Sequence, residues 1–140
     1  MIEKYLWIAG SLPFIILGTM HLLYTFFTNK FSSRNKTLEE EMKTNFPVLT
    51  KKTTMWKAWI GFNASHSSGV IYIGVINFIL AVQYFSIVQT PVFLLLNLIT
   101  VLFYLWLGKK YWFNVPFTGV LISSICFITA SGIILFRQFL

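Results

Sequence analysis

Aspartate is absent from this chain, and its only acids are Glu3, Glu39, Glu40 and Glu41. None of them falls inside an apolar run. Proton transport on carboxylates, intramembrane aspartyl chemistry and zinc hydrolysis with a glutamate base therefore lack their central residue. Cysteine occurs once, at Cys126, which excludes an intrachain disulfide and leaves too few thiolates for a cysteine-based zinc site. With no Cys-x-x-Cys-His there is no covalent attachment point for c-type haem. Charge is scarce throughout, at 11% of residues against roughly 25% in ordinary soluble domains. A soluble fold of this size would have no surface with which to meet water. The sequence contains neither an internal repeat nor a low-complexity tract.

What the chain has instead is long apolar runs. Tyr5–Phe27, Ala58–Phe85, Pro91–Gly108 and Val115–Phe136 each have about the length of a membrane-spanning helix, some 17–25 residues. They predict an all-α fold, an antiparallel four-helix transmembrane bundle forming one domain over residues 1–140. The first run is too long for the apolar region of a signal peptide and no small-residue cleavage site follows it, so it is expected to be retained. Pro13 removes a backbone hydrogen bond within it. Thr90 as N-cap with Pro91 at the first helical position starts the third span, after a connection short enough to force a hairpin. Asn114 is the expected cap of the fourth. In loop 28–57, Thr37-Leu38-Glu39-Glu40 fits a capping box, Glu39 and Lys43 stand at i,i+4, and Leu38, Met42 and Phe46 form an apolar stripe ended by Pro47. A short amphipathic helix is expected there. The second span is longer than a bilayer requires, and Trp56 and Trp59 place its start at the headgroup level.

The net charge is +7. Lys30, Arg34, Lys36, Lys43, Lys51, Lys52 and Lys57 precede the second span, and Lys109 and Lys110 precede the fourth, whereas Lys4 and Arg137 stand alone at the other ends. By the positive-inside rule the basic loops are cytoplasmic and both termini lie outside. Anionic lipid headgroups at the cytoplasmic face account for these lysines, without a nucleic acid partner.

The candidate site lies in the most polar stretch of the second span, Asn63-Ala64-Ser65-His66-Ser67-Ser68-Gly69. The only two histidines are His21, past the midpoint of the first span, and His66, before the midpoint of the second. Because the spans run in opposite directions, both fall roughly 7–9 Å from the bilayer centre in the same leaflet, at 1.5 Å per residue. Tyr104 on the third span comes to a similar depth. Buried polar groups of this kind mark functional sites in membranes, but they also hold helices together at about 0.6 kcal/mol per bond. Gly61, Ser65 and Gly69 form a small-xxx-small ladder that fits close helix packing equally well.

Three readings follow. A pocket for a lipophilic small molecule would use His21, His66, Asn63, Ser67 and Tyr104 as polar contacts. A b-type haem would take His21 and His66 as axial ligands. The same face could instead hold another subunit, in a homo-oligomer or a larger assembly. A metal set of His21, His66 and Cys126 fails on depth, and Ser65, Ser67 and Ser68 lack a third group to orient a catalytic imidazole.

The stretch Met55-Trp56-Lys57-Ala58-Trp59-Ile60-Gly61-Phe62-Asn63-Ala64-Ser65-His66-Ser67, with Gly18-Thr19-Met20-His21 before it, resembles a family of small four-helix integral membrane proteins of bacteria. The resemblance covers the whole chain. It implies a multi-pass protein of the bacterial inner membrane and assigns no activity to any residue. The layout is also similar to the membrane-associated eicosanoid and glutathione metabolism proteins. Asn63 matches the asparagine of their second span, but no arginine or glutamate accompanies it, so glutathione chemistry is not expected.

Overall fold

The computed structural model describes residues 1–138. It contains six helices: α1 (Ile2–Phe27), α2 (Lys36–Thr44), α3 (Met55–Gln83), α4 (Phe85–Val88), α5 (Pro91–Tyr111) and α6 (Asn114–Gln138). No strand occurs among the described residues. Four helices, α1, α3, α5 and α6, are long and apolar enough to cross a membrane. In an apolar medium only a helix satisfies every backbone N–H and C=O within one segment.

The chain divides into two compact units, Met1–Leu17 with Val70–Leu140, and Gly18–Gly69. In the first unit each helix turns one stripe inward. On α1 this stripe is Glu3, Trp7, Ser11 and Phe14, and on α3 it is Val70, Gly74, Asn77 and Ala81. On α5 it is Leu94, Asn97, Val101 and Gly108. Steps of three and four place each set on one helical face. Trp7 and Phe14 both pack on Phe127 of α6, at ring-centroid distances of 5.0 and 6.5 Å. A cross-helix hydrogen bond lies among them, from Trp7 Nε1 to Asn77 Oδ1 at 2.8 Å. At the ends of α1 and α6, the buried carboxylate of Glu3 takes a 2.7 Å bond from Arg137.

Thr90 caps α5 by accepting from Phe93 N, with Pro91 in the first turn. Asn114 is not a cap but the first residue of α6. The expected five-residue hairpin connection carries the short helix α4.

The second unit holds the C-terminal part of α1, α2 and the N-terminal part of α3. The cap of α2 is Asn35, whose side chain accepts from Thr37 N, rather than Thr37 itself. An Asx residue two positions before that N–H has the shorter reach, and Thr37 is already helical. Lys43 bonds Glu39 and Glu40, each at 2.9 Å. Donating to Glu39, and next to Glu40, holds the Lys43 ammonium above its ordinary value of 10.5. A raised lysine value means that this contribution is complete at neutral pH and fades only as pH rises through it. Lying on the helix surface within reach of water, these bonds are a minor support for a short helix.

Glycines mark where helices approach most closely. A Cβ on Gly74 would lie 2.9 Å from the backbone nitrogen of Ile15 and 2.7 Å from its Cγ1. One on Gly119 would run into Leu17 Cδ1. By contrast, Gly61 and Gly69 have nothing within 4 Å of the same position. The Gly61–Ser65–Gly69 ladder therefore serves no close helix contact among the described residues, a correction to the packing role read from its spacing. Gly74→Ala is expected to lower thermal stability in detergent by about 1–3 kcal/mol, the cost of overpacking, despite a helix-propensity gain of about 1 kcal/mol. Gly61→Ala and Gly69→Ala should leave the melting temperature unchanged or raise it.

Candidate functional site

The second unit brings His21, Asn63 and His66 together. His21 lies four turns along α1 from Trp7, and His66 lies within the first half of α3, so antiparallel helices set both imidazoles at one level. His21 Nε2 lies 2.9 Å from Asn63 Oδ1. The other end of the amide is fixed, because Asn63 Nδ2 donates to Trp59 O at 2.8 Å, one turn back on its own helix. With the amide oriented this way only its oxygen faces the ring, so His21 Nε2 carries the proton and donates. Neutral His21 is then the Nε2–H tautomer, and its Nδ1 is an acceptor. The His66 ring meets it edge-on, with centroids 5.6 Å apart at 71°. Phe31, from the connection after α1, stacks on His21 at 4.3 Å and 27°.

Beside this group is a small, partly open cavity with about 20 Å³ of room for water-sized groups. Thr25, Thr28 and Ser32 supply hydroxyls, and Phe31, Trp56 and Trp59 supply aromatic wall. Ile60 and Asn63 complete it. The threonine hydroxyls donate to their own helix, Thr25 to His21 O and Thr28 to Tyr24 O, each at 2.9 Å. Their protons are thereby used, and what they offer the cavity is oxygen lone pairs. Lys43 lies over the Trp56 ring at 5.7 Å and Lys30 over Tyr24 at 3.9 Å. Ammonium groups thus already rest on aromatic faces in this unit.

The other expected site residues are placed differently. Ser67 is fully buried, and its hydroxyl donates to Asn63 O at 2.6 Å. It bonds within α3 and, like His21 and His66, does not itself border the cavity. Tyr104 belongs to the first unit, where its ring packs edge-on against Phe14 at 5.8 Å and near Trp112 at 6.1 Å. Phe31, Ser32 and Ile60 carried no periodic signal in the sequence. Trp56 and Trp59 read there as interface anchors, yet they also line the cavity.

The arrangement does not fit a haem between the histidines. Bis-histidine ligation needs a flat macrocycle between the two rings, with a nitrogen of each facing the iron. The direct bond from His21 to Asn63 closes the gap between α1 and α3 that such a ring would enter, and Phe31 covers one face of His21. Among the described residues no three His, Cys or Glu side chains gather as a metal set. The serines beside His66 are spent on their own helix, Ser65 to Phe62 O and Ser67 to Asn63 O, so neither is an activated nucleophile.

Comparison with family models, curated proteins and solved structures gives no match.

The tautomer can be tested directly. In ¹⁵N-histidine spectra of the detergent-purified protein, neutral His21 should show the Nε2–H form. Asn63→Leu should return it to a tautomer mixture and destabilise the protein by about 0.6–2 kcal/mol, the range for interhelical polar contacts. An Nδ1–H signal in the unsubstituted protein would contradict the assigned bond.

Proposed function

We propose that this chain is a multi-pass inner-membrane protein that holds the polar head of a lipophilic small molecule beside His21, Asn63 and His66. The observation that carries the reading is the cavity beside the His21–Asn63 bond, where acceptor oxygens and aromatic rings converge on one small space. Polar groups in an apolar medium cost several kcal/mol each unless partnered. The two histidines of the chain lie together with an asparagine and three hydroxyls at one end of this helix pair. The cavity is too small for a whole lipid or quinone. It seats a head, while the remainder lies along apolar surface such as Phe26, Phe27 and Phe62, which are 57%, 78% and 75% exposed.

The four spans form an antiparallel bundle in this reading, with both termini outside and the 28–57 connection cytoplasmic. The lysine distribution supports that orientation, and it puts the cavity at the cytoplasmic headgroup level. The basic connection rests on anionic headgroups. Reporter fusions at Glu41 and at the C-terminus should read inside and outside respectively; the opposite pattern would reverse the orientation.

A second reading, an assembly role, is favoured by the open Gly61–Ser65–Gly69 ladder, which leaves room for a helix of another chain or a second copy. One experiment separates the two. Mass spectrometry of the gently purified protein should detect a retained small molecule that His66→Leu releases. A protein that carries none, and instead co-purifies stoichiometrically with another membrane protein lost on Gly61→Leu, would replace the pocket by assembly.

A further inference from the structure

We infer that the head seated in this cavity is a primary ammonium carried by a zwitterionic phospholipid, the chemistry of an ethanolamine headgroup. This deepens the pocket reading and rests on it.

The first step is donor accounting. Thr25 and Thr28 have given their hydroxyl protons to main-chain carbonyls. Asn63 Oδ1 accepts from one side only, at His21, and a carbonyl oxygen has two lone pairs. Thr28 Oγ1 also accepts from Lys30 N at 3.2 Å, so Thr25 Oγ1, Thr28 Oγ1 and Asn63 Oδ1 each keep at least one lone pair beside this space, three acceptors that suit a group donating in several directions, while the Ser32 hydroxyl can take either role. An ammonium has three donors and no acceptor.

The second step is the aromatic wall. Phe31, Trp56 and Trp59 border the same space, and tryptophan is the ring on which a cation is held best. Trp56 already has Lys43 over it. Trp59 has no cation over it among the described residues and is 42% exposed.

Size and charge narrow the choice. Room of about 20 Å³ takes a group near the size of one water, for which about 10–15 Å³ suffices. An –NH₃⁺ fits and can donate to these acceptors, whereas a trimethylammonium has no N–H to give. The unit also carries Lys30, Arg34, Lys36, Lys51, Lys52 and Lys57 against three glutamates, two of which hold Lys43. That surplus repels a free amine. A zwitterion brings its own phosphate, which the lysines attract, so the headgroup binds where a bare cation does not.

The test is native mass spectrometry of the full chain in detergent with phosphatidylethanolamine, phosphatidylcholine and phosphatidylglycerol of identical acyl chains. The ethanolamine lipid should be retained at least about tenfold over the other two, as expected for a charge-assisted hydrogen bond. Thr25→Val removes an acceptor at constant shape, and Trp59→Leu removes the ring; each should lower that preference severalfold. Thr118→Val, whose hydroxyl likewise bonds its own helix but in the other unit, should not, which controls for folding. Equal retention of phosphatidylcholine or phosphatidylglycerol overturns the ammonium assignment, as does a preference indifferent to both substitutions. Soluble phosphoethanolamine bound as tightly as the lipid overturns the lipid source. A retained lipophile without an amine, released by His66→Leu, overturns this inference and leaves the pocket standing. A protein that retains nothing overturns both.

Discussion

A hydrocarbon surrounding offers a polar side chain no solvent, so each one must find its partner within the protein. Seven small hydroxyls of this chain take the same way out. Ser11, Thr25, Thr28, Ser67, Thr100, Thr118 and Ser124 each donate to the carbonyl four residues back on their own helix. That solution needs no neighbour, so it places no demand on packing, and it leaves the oxygen as an acceptor on the helix surface. Asn97, Ser123 and Ser131 instead have buried atoms with no partner among the described residues. Asparagine cannot satisfy itself in this way because its second end remains over. Its position therefore determines where two helices must meet.

Asn63 and Asn77 show this twice. Each donates its amide to a carbonyl one turn back, Trp59 O or Ile73 O, and turns its oxygen toward a ring nitrogen on α1, His21 or Trp7. The α1 and α3 partners are separated by the same number of residues, about four helical turns. Similar geometry yields different chemistry. The Trp7–Asn77 bond is buried among apolar side chains, 0% and 3% exposed. Indole has no second nitrogen and does not titrate, so that pair joins helices and does nothing more. At the other position the indole is replaced by imidazole, a second imidazole stands beside it, and the surroundings open into a cavity. Packing alone is served equally well by either clamp. What distinguishes Asn63 from Asn77 is everything added around it.

Much of this was legible in the sequence, for reasons specific to each residue. The spans were legible because apolar length is a global property that no tertiary contact can override. Matched histidine depth followed from counting along antiparallel helices, and rise per residue is nearly constant. Phe31 was not legible, since it lies beyond the end of α1, where no period relates a side chain to the helix it folds back on. Thr25 and Thr28, four and seven residues after His21, share its helical face by spacing alone, but their role as acceptors depends on where each hydroxyl proton goes. The glycines were misleading for a physical reason. A small-xxx-small spacing permits close approach without requiring it, and the contacts formed at Gly74 and Gly119, while Gly61 and Gly69 remained open. Residue counting puts Tyr104 at a depth similar to that of the histidines, but depth fixes one coordinate of three, and the ring contact that counting could not foresee is with Phe14.

The scarcity of acids, which first limited the possible chemistry, also determines how a cation could be held. A buried ammonium is ordinarily neutralised by a carboxylate, and desolvating it without one is costly. No glutamate lies among the residues bordering this cavity. Ring faces and spent hydroxyls attract positive charge without carrying a full negative one, so they favour a cation only modestly and tolerate vacancy. A carboxylate there would be claimed by the neighbouring lysines, as Glu39 and Glu40 are by Lys43. Aromatic and hydroxyl lining is thus a form of cation site that stays open among lysines. The same weakness makes a second attachment necessary for any cation that binds, and the surrounding lysines can supply one only to a molecule that carries a phosphate alongside its amine.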